Sequence, residues 1–393
     1  MILAASTMIL FAACNKEENN GYTINGDKIT FGVTVTNPQD EGKQALNGEN
    51  KMIYFTTGDQ IIINGTACNV TPVAHPAFPT SNGSYSPVGQ MTADVSSTGA
   101  YSFVYPASIF TNDGGVYRAT FPRLARAING QLGSTNFAEI DPVYRPIWPM
   151  YYGIDDISNH NGMVELENAC TFISPAIKYG PAWATAVFGP LSHQNYGDDG
   201  NGNYVPSPTL QITDGALWSN LKLHGPAHLD VTNGEMVMDE VVAGQFDTLI
   251  WGAPQNAFVN DGHQAGLEQN TIVGIIPLAP ADNDQSKSFK MALTFRASVE
   301  GQTYYMLFIS REKTTTAALE RNIRNYLRLD FDNIRQGTQA SIVSYEGGAG
   351  VETYANNVAT NCGHITFNNR GDLYVAASAS ALQPYINQYV LGR

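Results

Sequence analysis

Short runs of alternating apolar and polar residues are the feature that most limits what this chain can fold into. In KITFGVTVT, residues 28–36, Ile29, Phe31, Val33 and Val35 alternate with threonine or glycine. Successive side chains of a β-strand point to opposite faces, so this pattern predicts a strand with one buried face. Similar short runs recur about a dozen residues apart, and no long segment has a helical period, which favours a β-sandwich.

Five other segments have the composition and alternation of strands. They are MIYFTTGDQIIING, AYSFVYPASIF, SFKMALTFRASV, TYYMLFIS and NYLRLDF. The first should turn at Thr57–Asp59, and Pro106 should interrupt the second, as in an edge or bulged strand. EGQ, residues 300–302, should join the third and fourth segments as a hairpin. The residues just before the last segment, 316–320, are predicted to form one short helix.

The length of 393 residues exceeds one ordinary core, so two or more domains are expected. An irregular stretch with three prolines separates two strand-rich regions, which predicts an N-terminal β-sandwich at residues 28–150 and a C-terminal β-sandwich at residues 160–336. Residues 337–393 are predicted as a linker followed by a strand hairpin built from GHITFNN and DLYVAAS. A lone hairpin is marginal in water, so this tail needs a host, either its own second domain or the sheet of a neighbouring subunit.

The N-terminal stretch TMILFAACNKEENN, residues 7–20, indicates how the chain reaches its compartment. Residues 1–13 are apolar but shorter than the roughly 20 residues of a membrane-spanning helix, and they fit the apolar part of a signal peptide. A cysteine after small residues resembles the lipobox of bacterial lipoproteins, which implies lipidation of Cys14 and a tether at residues 14–27. The alternative is an ordinary secretory signal that happens to contain Cys14.

Charge and composition exclude several classes of function. The net charge is −14 and the sequence has no basic run, so neither nucleic acid nor an anionic membrane surface is an expected partner. Cys68, Cys170 and Cys362 have no CxxC spacing and are predicted to be buried free thiols. No nucleophile elbow, phosphate-binding loop or zinc-protease motif occurs. We therefore expect a protein that is not an enzyme and needs no cofactor.

Two segments could imitate metal sites. In HGPAH, His224 and His228 are four residues apart, but Pro226 prevents the helix that would place both imidazoles on one face. GDDGNGN, residues 197–203, has the acidic spacing of a calcium loop, but Tyr204 stands where that loop requires glycine. A turn is the expected structure there, and no metal site is predicted.

Several motifs in their order resemble the fimbrillin family, the type V pilins and related surface lipoproteins of the Bacteroidota. These are the lipobox-like start, GDQIII, YSFVYPAS, WPMYYG and RNIRNYLRLDF, which together span about residues 1–335. The resemblance implies two tandem transthyretin-like β-sandwich domains and a structural or adhesive pilus role. It also implies a lipid-anchored location at the outer membrane and cell surface, with other pilus subunits and a host or bacterial surface receptor as partners. Family members assemble by β-strand addition, in which a terminal strand of one subunit fills a groove of the next.

One departure from the family pattern concerns maturation. Stalk pilins are cleaved after an arginine in the loop that follows the first strand, whereas this chain has no arginine before Arg118. The matching loop offers only Lys43. Either another protease cleaves at Lys43, or the chain keeps its anchor as a basal or accessory subunit, and the sequence favours the second.

The main alternative is a glycan- or ligand-binding surface lipoprotein of a nutrient-uptake system. Trp148, Trp183, Trp218 and Trp251 would then be candidate platforms for stacking sugars, although core packing explains each of them equally well. A lipid-anchored hydrolase is a more distant alternative.

Overall fold

The computed structural model describes most of the chain between residues 23 and 391, and the chain there is mostly β-strand, which confirms the predicted all-β class. The described ranges are 23–25, 28–35, 39–40, 55–74, 85–86, 88–94, 101–121, 124–125, 150–154, 162–252, 258–259, 271–272, 276–331, 362–367 and 371–391. Their strands form four larger sheets and two small two-stranded sheets.

The first sheet has eight strands, of which seven close into a ring. Its strands are β1 (Thr23–Asn25), β2 (Lys28–Val35), β5 (Gln60–Ile63), β6 (Thr66–Pro72), β8 (Val88–Ala93), β9 (Tyr101–Tyr105), β13 (Met150–Ile154) and β14 (Met163–Asn168). Strand β2 closes the ring because it pairs antiparallel with β8 on one side and parallel with β14 on the other. Strand β1 extends β2 on the side of β14.

The second sheet joins distant parts of the sequence. Its four strands are β10 (Thr111–Asp113), β11 (Val116–Phe121), β19 (Gly225–Asp230) and β20 (Glu235–Met238). The first sheet includes β14 and the second sheet includes β19, so both sheets contain strands that lie beyond the predicted boundary between residues 150 and 160. The boundary as a division between folding units stays a prediction.

The third sheet contains nine strands and includes the C-terminal hairpin. Its strands are β12 (Leu124–Ala125), β18 (Leu210–Ser219), β21 (Asp247–Gly252), β22 (Phe258–Val259), β25 (Lys287–Val299), β26 (Gln302–Ser310), β27 (Lys313–Thr315), β29 (Cys362–Phe367) and β30 (Gly371–Ala376). The predicted hairpin through residues 300–302 is confirmed, since β25 and β26 pair out to Val299 and Gln302.

The fourth sheet and two small two-stranded sheets complete the strands. The fourth sheet contains β3 (Gln39–Asp40), β15 (Thr171–Lys178), β23 (Thr271–Ile272), β24 (Ile276–Leu278) and β28 (Ile323–Asp330). One small sheet pairs β4 (Phe55–Thr56) with β7 (Tyr85–Ser86), and the other is a hairpin of β16 (Gly197–Asp198) and β17 (Tyr204–Val205).

Three hydrophobic clusters form the interior. The first cluster lies among inward-facing residues of the first and second sheets and includes the buried Cys170 and Phe172. The second cluster lies among the third sheet, the fourth sheet and helix α1 (Pro181–Ser192). The third cluster lies between residues of the third sheet and helix α2 (Ala379–Ile386), which continues into a π-helical turn, Asn387–Leu391.

Three sequence predictions about local structure are wrong, and two helices were missed. Residues 316–320 form no helix, because Leu319 and Ala281 exchange backbone hydrogen bonds as an isolated bridge. Helices α1 and α2 were not predicted. Pro106 ends β9, which is no edge strand, since β5 and β13 flank it. Cys170 is a buried free thiol as predicted, but Cys68 is partly exposed.

Candidate functional site

Strand β2 is held in the first sheet by one apolar face. Ile29, Phe31 and Val33 are at most 2% exposed and belong to the first hydrophobic cluster. The Phe31 ring meets the ring of Phe103 edge to face, with centroids 5.8 Å apart. Burial of three large side chains at about 1.5–3 kcal/mol each stabilises β2 strongly in its place.

Residues of the neighbouring strand β8 leave space for the inward-facing side chains of β2. Phe31 lies opposite Met91 of β8, and Val33 lies opposite Gly89. A Cβ atom on Gly89 would lie 2.4 Å from Val70 Cγ1 and 3.1 Å from Val33 Cγ1. Gly89 therefore leaves the space in which these two valines pack.

The outer face of β2 is polar or small. The hydroxyl groups of Thr30 and Thr92 are hydrogen-bonded at 2.8 Å. Gly32 lies opposite Met163 of β14, and its backbone N–H donates to the Gly162 carbonyl at 2.8 Å. The large apolar side chains of β2 thus all lie on its inner face, and its outer face carries Thr30, Gly32 and Thr34.

The segment that contains β2 also reaches the fourth sheet. Strand β3 follows β2 by a few residues and pairs parallel with the start of β28, where Gln39 lies opposite Ile323. Arg321, just before β28, donates to Glu167 Oε2 of β14 at 2.6 Å and to the Gly234 carbonyl at 3.3 Å. The N-terminal segment therefore runs beside two strands, β14 and β28, that are already tied to each other.

The C-terminal hairpin packs on its own chain, which is the first of the two hosts considered from the sequence. Strand β30 pairs antiparallel with β26 from Tyr305 opposite Ala376 to Ser310 opposite Gly371. Ile365, Leu373 and Val375 are fully buried in the second cluster. The inner face of the hairpin is therefore part of the core.

Helix α2 covers the outer face of the same hairpin. Leu382 is 2% exposed and packs with Ala216, Ala292 and Ala376, whose small side chains leave room for the helix on the sheet. Tyr374 of β30 stacks on Tyr385, with ring centroids 4.6 Å apart. The outer face of the hairpin, with the half-buried His364 and Tyr374, is thus covered by an element of the same chain.

Polar contacts tie Asp372 of the tail hairpin to residues of two neighbouring segments. Asp372 accepts from Arg311 Nη1 at 3.1 Å and lies 3.2 Å from His364 Nε2. The ring of His364 stacks on Tyr374 at 4.8 Å. Burial, with smaller contributions from Tyr389, raises the pKa of Tyr374 well above its ordinary value.

The residues singled out from the sequence have different outcomes. Cys14 and Lys43 lie outside the described residues, so lipidation and maturation cleavage stay predictions. His224 Nε2 lies 2.9 Å from Asp247, and His228 Nδ1 lies 2.6 Å from Asp239. Each histidine thus has its own carboxylate, and the described part of the chain contains no group of three or more His, Cys, Asp or Glu arranged to hold a metal.

The turn predicted at residues 197–203 is confirmed. Asp199 Oδ1 accepts the backbone N–H groups of Asn201 at 2.8 Å and Asn203 at 3.1 Å. These contacts close the loop between β16 and β17, so the aspartate caps the backbone of its own turn.

Three of the four tryptophans can be placed. Trp183 is fully buried and Trp251 is 2% exposed, both in the second cluster. Trp218 is half-buried, packs against the third cluster, and has Lys290 Nζ 5.9 Å from its ring centroid. Trp148 lies outside the described residues. Among the described tryptophans, only Trp218 has a partly exposed ring.

The sequence reasoning found β2 but missed Gly32, Met163 and helix α2. Gly32 interrupts an alternating strand, and such a glycine is a signal for close approach of another chain segment. Within the described residues, no helix combines the length and the apolar character needed to cross a bilayer.

Comparison with known proteins gives structural neighbours at low identity. No protein-family model and no curated protein matches the chain. A candidate cell adhesion protein of Bacteroides ovatus shares 13% identity over 77% of this chain and 92% of its own, with a TM-score of 0.33. Another, from Bacteroides eggerthii, shares 10% identity over 92% and 98%, with a TM-score of 0.34.

A fimbrial protein of Bacteroides ovatus is a third neighbour. It shares 10% identity over 88% of this chain and 57% of its own length, with a TM-score of 0.25. The neighbours are thus candidate cell adhesion proteins and a fimbrial protein of Bacteroides. All three TM-scores are below 0.5, so the likeness assigns no function to this chain.

Proposed function

We propose that this chain is a fimbrillin-like surface lipoprotein, a structural or accessory pilus subunit without catalytic activity that takes up a strand from another chain at the position of β2. The observation that carries the proposal is the place of β2 in the first sheet. It pairs along both edges, buries one apolar face, and lies close to the N-terminus.

Loss of β2 would create a strong acceptor for another strand. The edges of β8 and β14 that face β2 would present unpaired backbone groups. The side chains of Met91, Phe103 and Val164 would also lose their contacts with β2 and become more exposed to solvent. Exposed backbone edges and exposed apolar side chains together favour the addition of a strand. An incoming strand restores both kinds of contact at once.

The packing of the C-terminal tail favours a chain that accepts a strand but does not donate its own tail. A donated tail would have to give up its pairing with β26, the buried inner face of the hairpin and the contact of helix α2 with its outer face. Replacement of β2 disrupts one face of large apolar side chains, because the other face carries Thr30, Gly32 and Thr34. We therefore propose that the chain accepts a strand and retains its own tail, as expected for an accessory subunit.

The proposed location rests on the N-terminal sequence. Lipidation of Cys14 would anchor the chain at the outer membrane, because two or three acyl chains bury enough methylene groups for stable attachment. Other pilus subunits are the proposed protein partners, and a surface receptor is a further one. A chain anchored in this way meets both at the cell surface.

Strand uptake can be tested with a nicked chain. A specific protease site inserted between residues 44 and 50 allows β2 to be cut from the remainder while it stays bound by non-covalent contacts. A labelled synthetic peptide of residues 22–40 should then replace the resident strand with one peptide per chain, as measured by native mass spectrometry. The uncut chain is the control, and a nicked chain that takes up no peptide would overturn the proposal.

Glycan binding remains the competing function. Burial of Trp183 and Trp251 leaves Trp218 as the partly exposed ring among the described tryptophans. Binding of the intact chain to a panel of polysaccharides, abolished by Trp218→Ala, would favour the nutrient-uptake alternative.

A further inference from the structure

The turn between β16 and β17 contains an asparagine followed by a glycine, Asn201–Gly202. Both residues are exposed, and Gly202 has a positive φ of 83°. A Cβ atom added to Gly202 would have no other heavy atom within 4 Å. Within the described ranges, the Gly202 N–H takes part in no hydrogen bond. The backbone nitrogen that follows Asn201 is therefore neither shielded nor engaged by another group.

An asparagine that precedes such a nitrogen loses its side-chain amide without an enzyme. The backbone nitrogen of the glycine attacks the side-chain carbonyl carbon, and the new C–N bond closes a five-membered imide ring. The amide nitrogen leaves as ammonia and carries away the proton of the glycine N–H. Water then opens the ring at one of its two carbonyl carbons and gives aspartate or isoaspartate. Glycine favours the attack because it has no Cβ to block the approach.

The contacts of Asn201 leave its side chain easy to release. Its backbone N–H donates to Asp199 Oδ1 at 2.8 Å, and its side-chain amide donates to the same carboxylate. Asp199 is exposed, so water can replace the side-chain contact at little net cost in free energy.

The pair Asn64–Gly65 also lies within the described residues, and its asparagine is held elsewhere. Asn64 Oδ1 accepts from the backbone N–H of Ser102 at 2.8 Å and from the Ser102 hydroxyl at 3.2 Å. These two contacts tie the side chain to β9, away from the nitrogen of Gly65.

The pair Asn233–Gly234 is protected at both reacting groups. Asn233 Nδ2 donates to Glu235 Oε2 at 2.9 Å, and Asn233 Oδ1 accepts from the Glu235 N–H at 3.0 Å. The Gly234 N–H donates to the Asp230 carbonyl at 2.8 Å. Of the three Asn–Gly pairs that lie wholly within the described residues, Asn201–Gly202 is thus the least constrained.

We propose that Asn201 is a site of spontaneous deamidation and that this modification loosens the hairpin of β16 and β17. Conversion replaces an amide that donates to Asp199 by a carboxylate, which only accepts, so two negative charges face each other. The isoaspartate product also inserts one carbon atom into the main chain between the N–H groups of residues 201 and 203, both of which donate to Asp199 in the unmodified turn. The pairing of Asp198 with Tyr204 depends on this closed turn.

The experiment follows the three asparagines in the full chain. The folded chain is incubated at mildly alkaline pH and digested, and mass spectrometry measures the conversion of amide to acid in each peptide. Asn201 should convert at least about tenfold faster than Asn64 and Asn233, which corresponds to about 1.4 kcal/mol in activation free energy. In guanidinium chloride the three rates should agree within about threefold, because the contacts that protect the other two asparagines are then lost.

The variant Asn201→Gln tests the cause and the consequence. It keeps an amide at this position but would have to close a six-membered ring, so no conversion is expected there. Amide hydrogen exchange in residues 197–205 should become faster as the unmodified chain ages and should stay constant in Asn201→Gln. Equal conversion of all three asparagines in the folded chain would overturn the proposed site. Conversion of Asn201 without faster exchange would overturn the loosening of the hairpin.

Discussion

Asn168 Nδ2 donates a hydrogen bond of 2.7 Å to Asn322 Oδ1, and this contact joins the end of β14 to the residue before β28. Both side chains are buried, and the Asn322 N–H donates to the Cys170 carbonyl at 2.8 Å. Asn322 also has a positive φ of 59°, a conformation that asparagine tolerates better than most residues. The first and fourth sheets are therefore connected by a buried polar pair whose geometry depends on one asparagine.

Substitution of Asn322 should destabilise the chain in two separable ways. Asn322→Gly keeps the backbone free to adopt a positive φ but leaves Asn168 without this partner, at a cost of about 1–3 kcal/mol in free energy of unfolding. Asn322→Ala adds the backbone strain and should be less stable than Asn322→Gly by about 1 kcal/mol. Urea unfolding measures both, and an alanine variant as stable as the glycine variant would contradict the role of the backbone.

Helix α2 should contribute to the stability of the C-terminal region. Leu382→Ala removes a side chain that is 2% exposed and should lower the free energy of unfolding by about 2–4 kcal/mol. Gln383→Ala is the matched control on the exposed side of the helix, with an expected change below about 0.5 kcal/mol. Deletion of residues 337–393 should lower the melting temperature by more than Leu382→Ala does. A truncated chain with the melting temperature of the full chain would show that the tail does not pack on its own chain.

Ionisation of Tyr374 should weaken the contact between the tail and α2 at alkaline pH. Its pKa is raised above the ordinary value of 10.0, first by burial and then by Tyr389. A raised pKa means that the fold favours the neutral phenol, so the stabilisation is fully present below pH 10 and is lost as the pH rises through the folded-state pKa. Stability against pH should fall less steeply in Tyr374→Phe than in the unmodified chain, and identical alkaline profiles would contradict this.

Membrane attachment should depend on Cys14. Cys14→Ala should release the chain from the membrane fraction, because the apolar run before it is too short to anchor the protein as a helix. Mass spectrometry of the N-terminal peptide of the unmodified chain should find the mass of the acyl groups. Retention of the variant together with an unmodified N-terminal peptide would rule out lipidation.

The predicted domain boundary can be tested by cleavage between residues 155 and 160. The two fragments should stay associated in native buffer, because β14 pairs with both β13 and β2 across the cut. Size-exclusion chromatography before and after addition of denaturant measures the association. Separation of two stable fragments in native buffer would favour independent sandwiches divided at that position.

Local alternation identified the strands because a strand that is buried on one face must alternate whatever it packs against. Residues 288–299 show this most clearly: Phe289, Met291, Leu293 and Phe295 all face the core as the pattern predicts. Helix α1 was missed for the corresponding reason. Its buried residues lie on one side, but its other positions carry no charged side chain, so it lacks the polar face that makes a helix visible in sequence.

The sequence by itself determined the all-β class, the short turns and the apolar face of β2, since each depends on residues that are close along the chain. The tertiary structure alone decided that β2 closes a ring between β8 and β14, that the tail hairpin completes its own sheet, and that Met163 lies over Gly32. These contacts join residues more than 50 positions apart. Pairing between such distant segments is set by the packing of the whole molecule, because many alternating strands are compatible with any one edge.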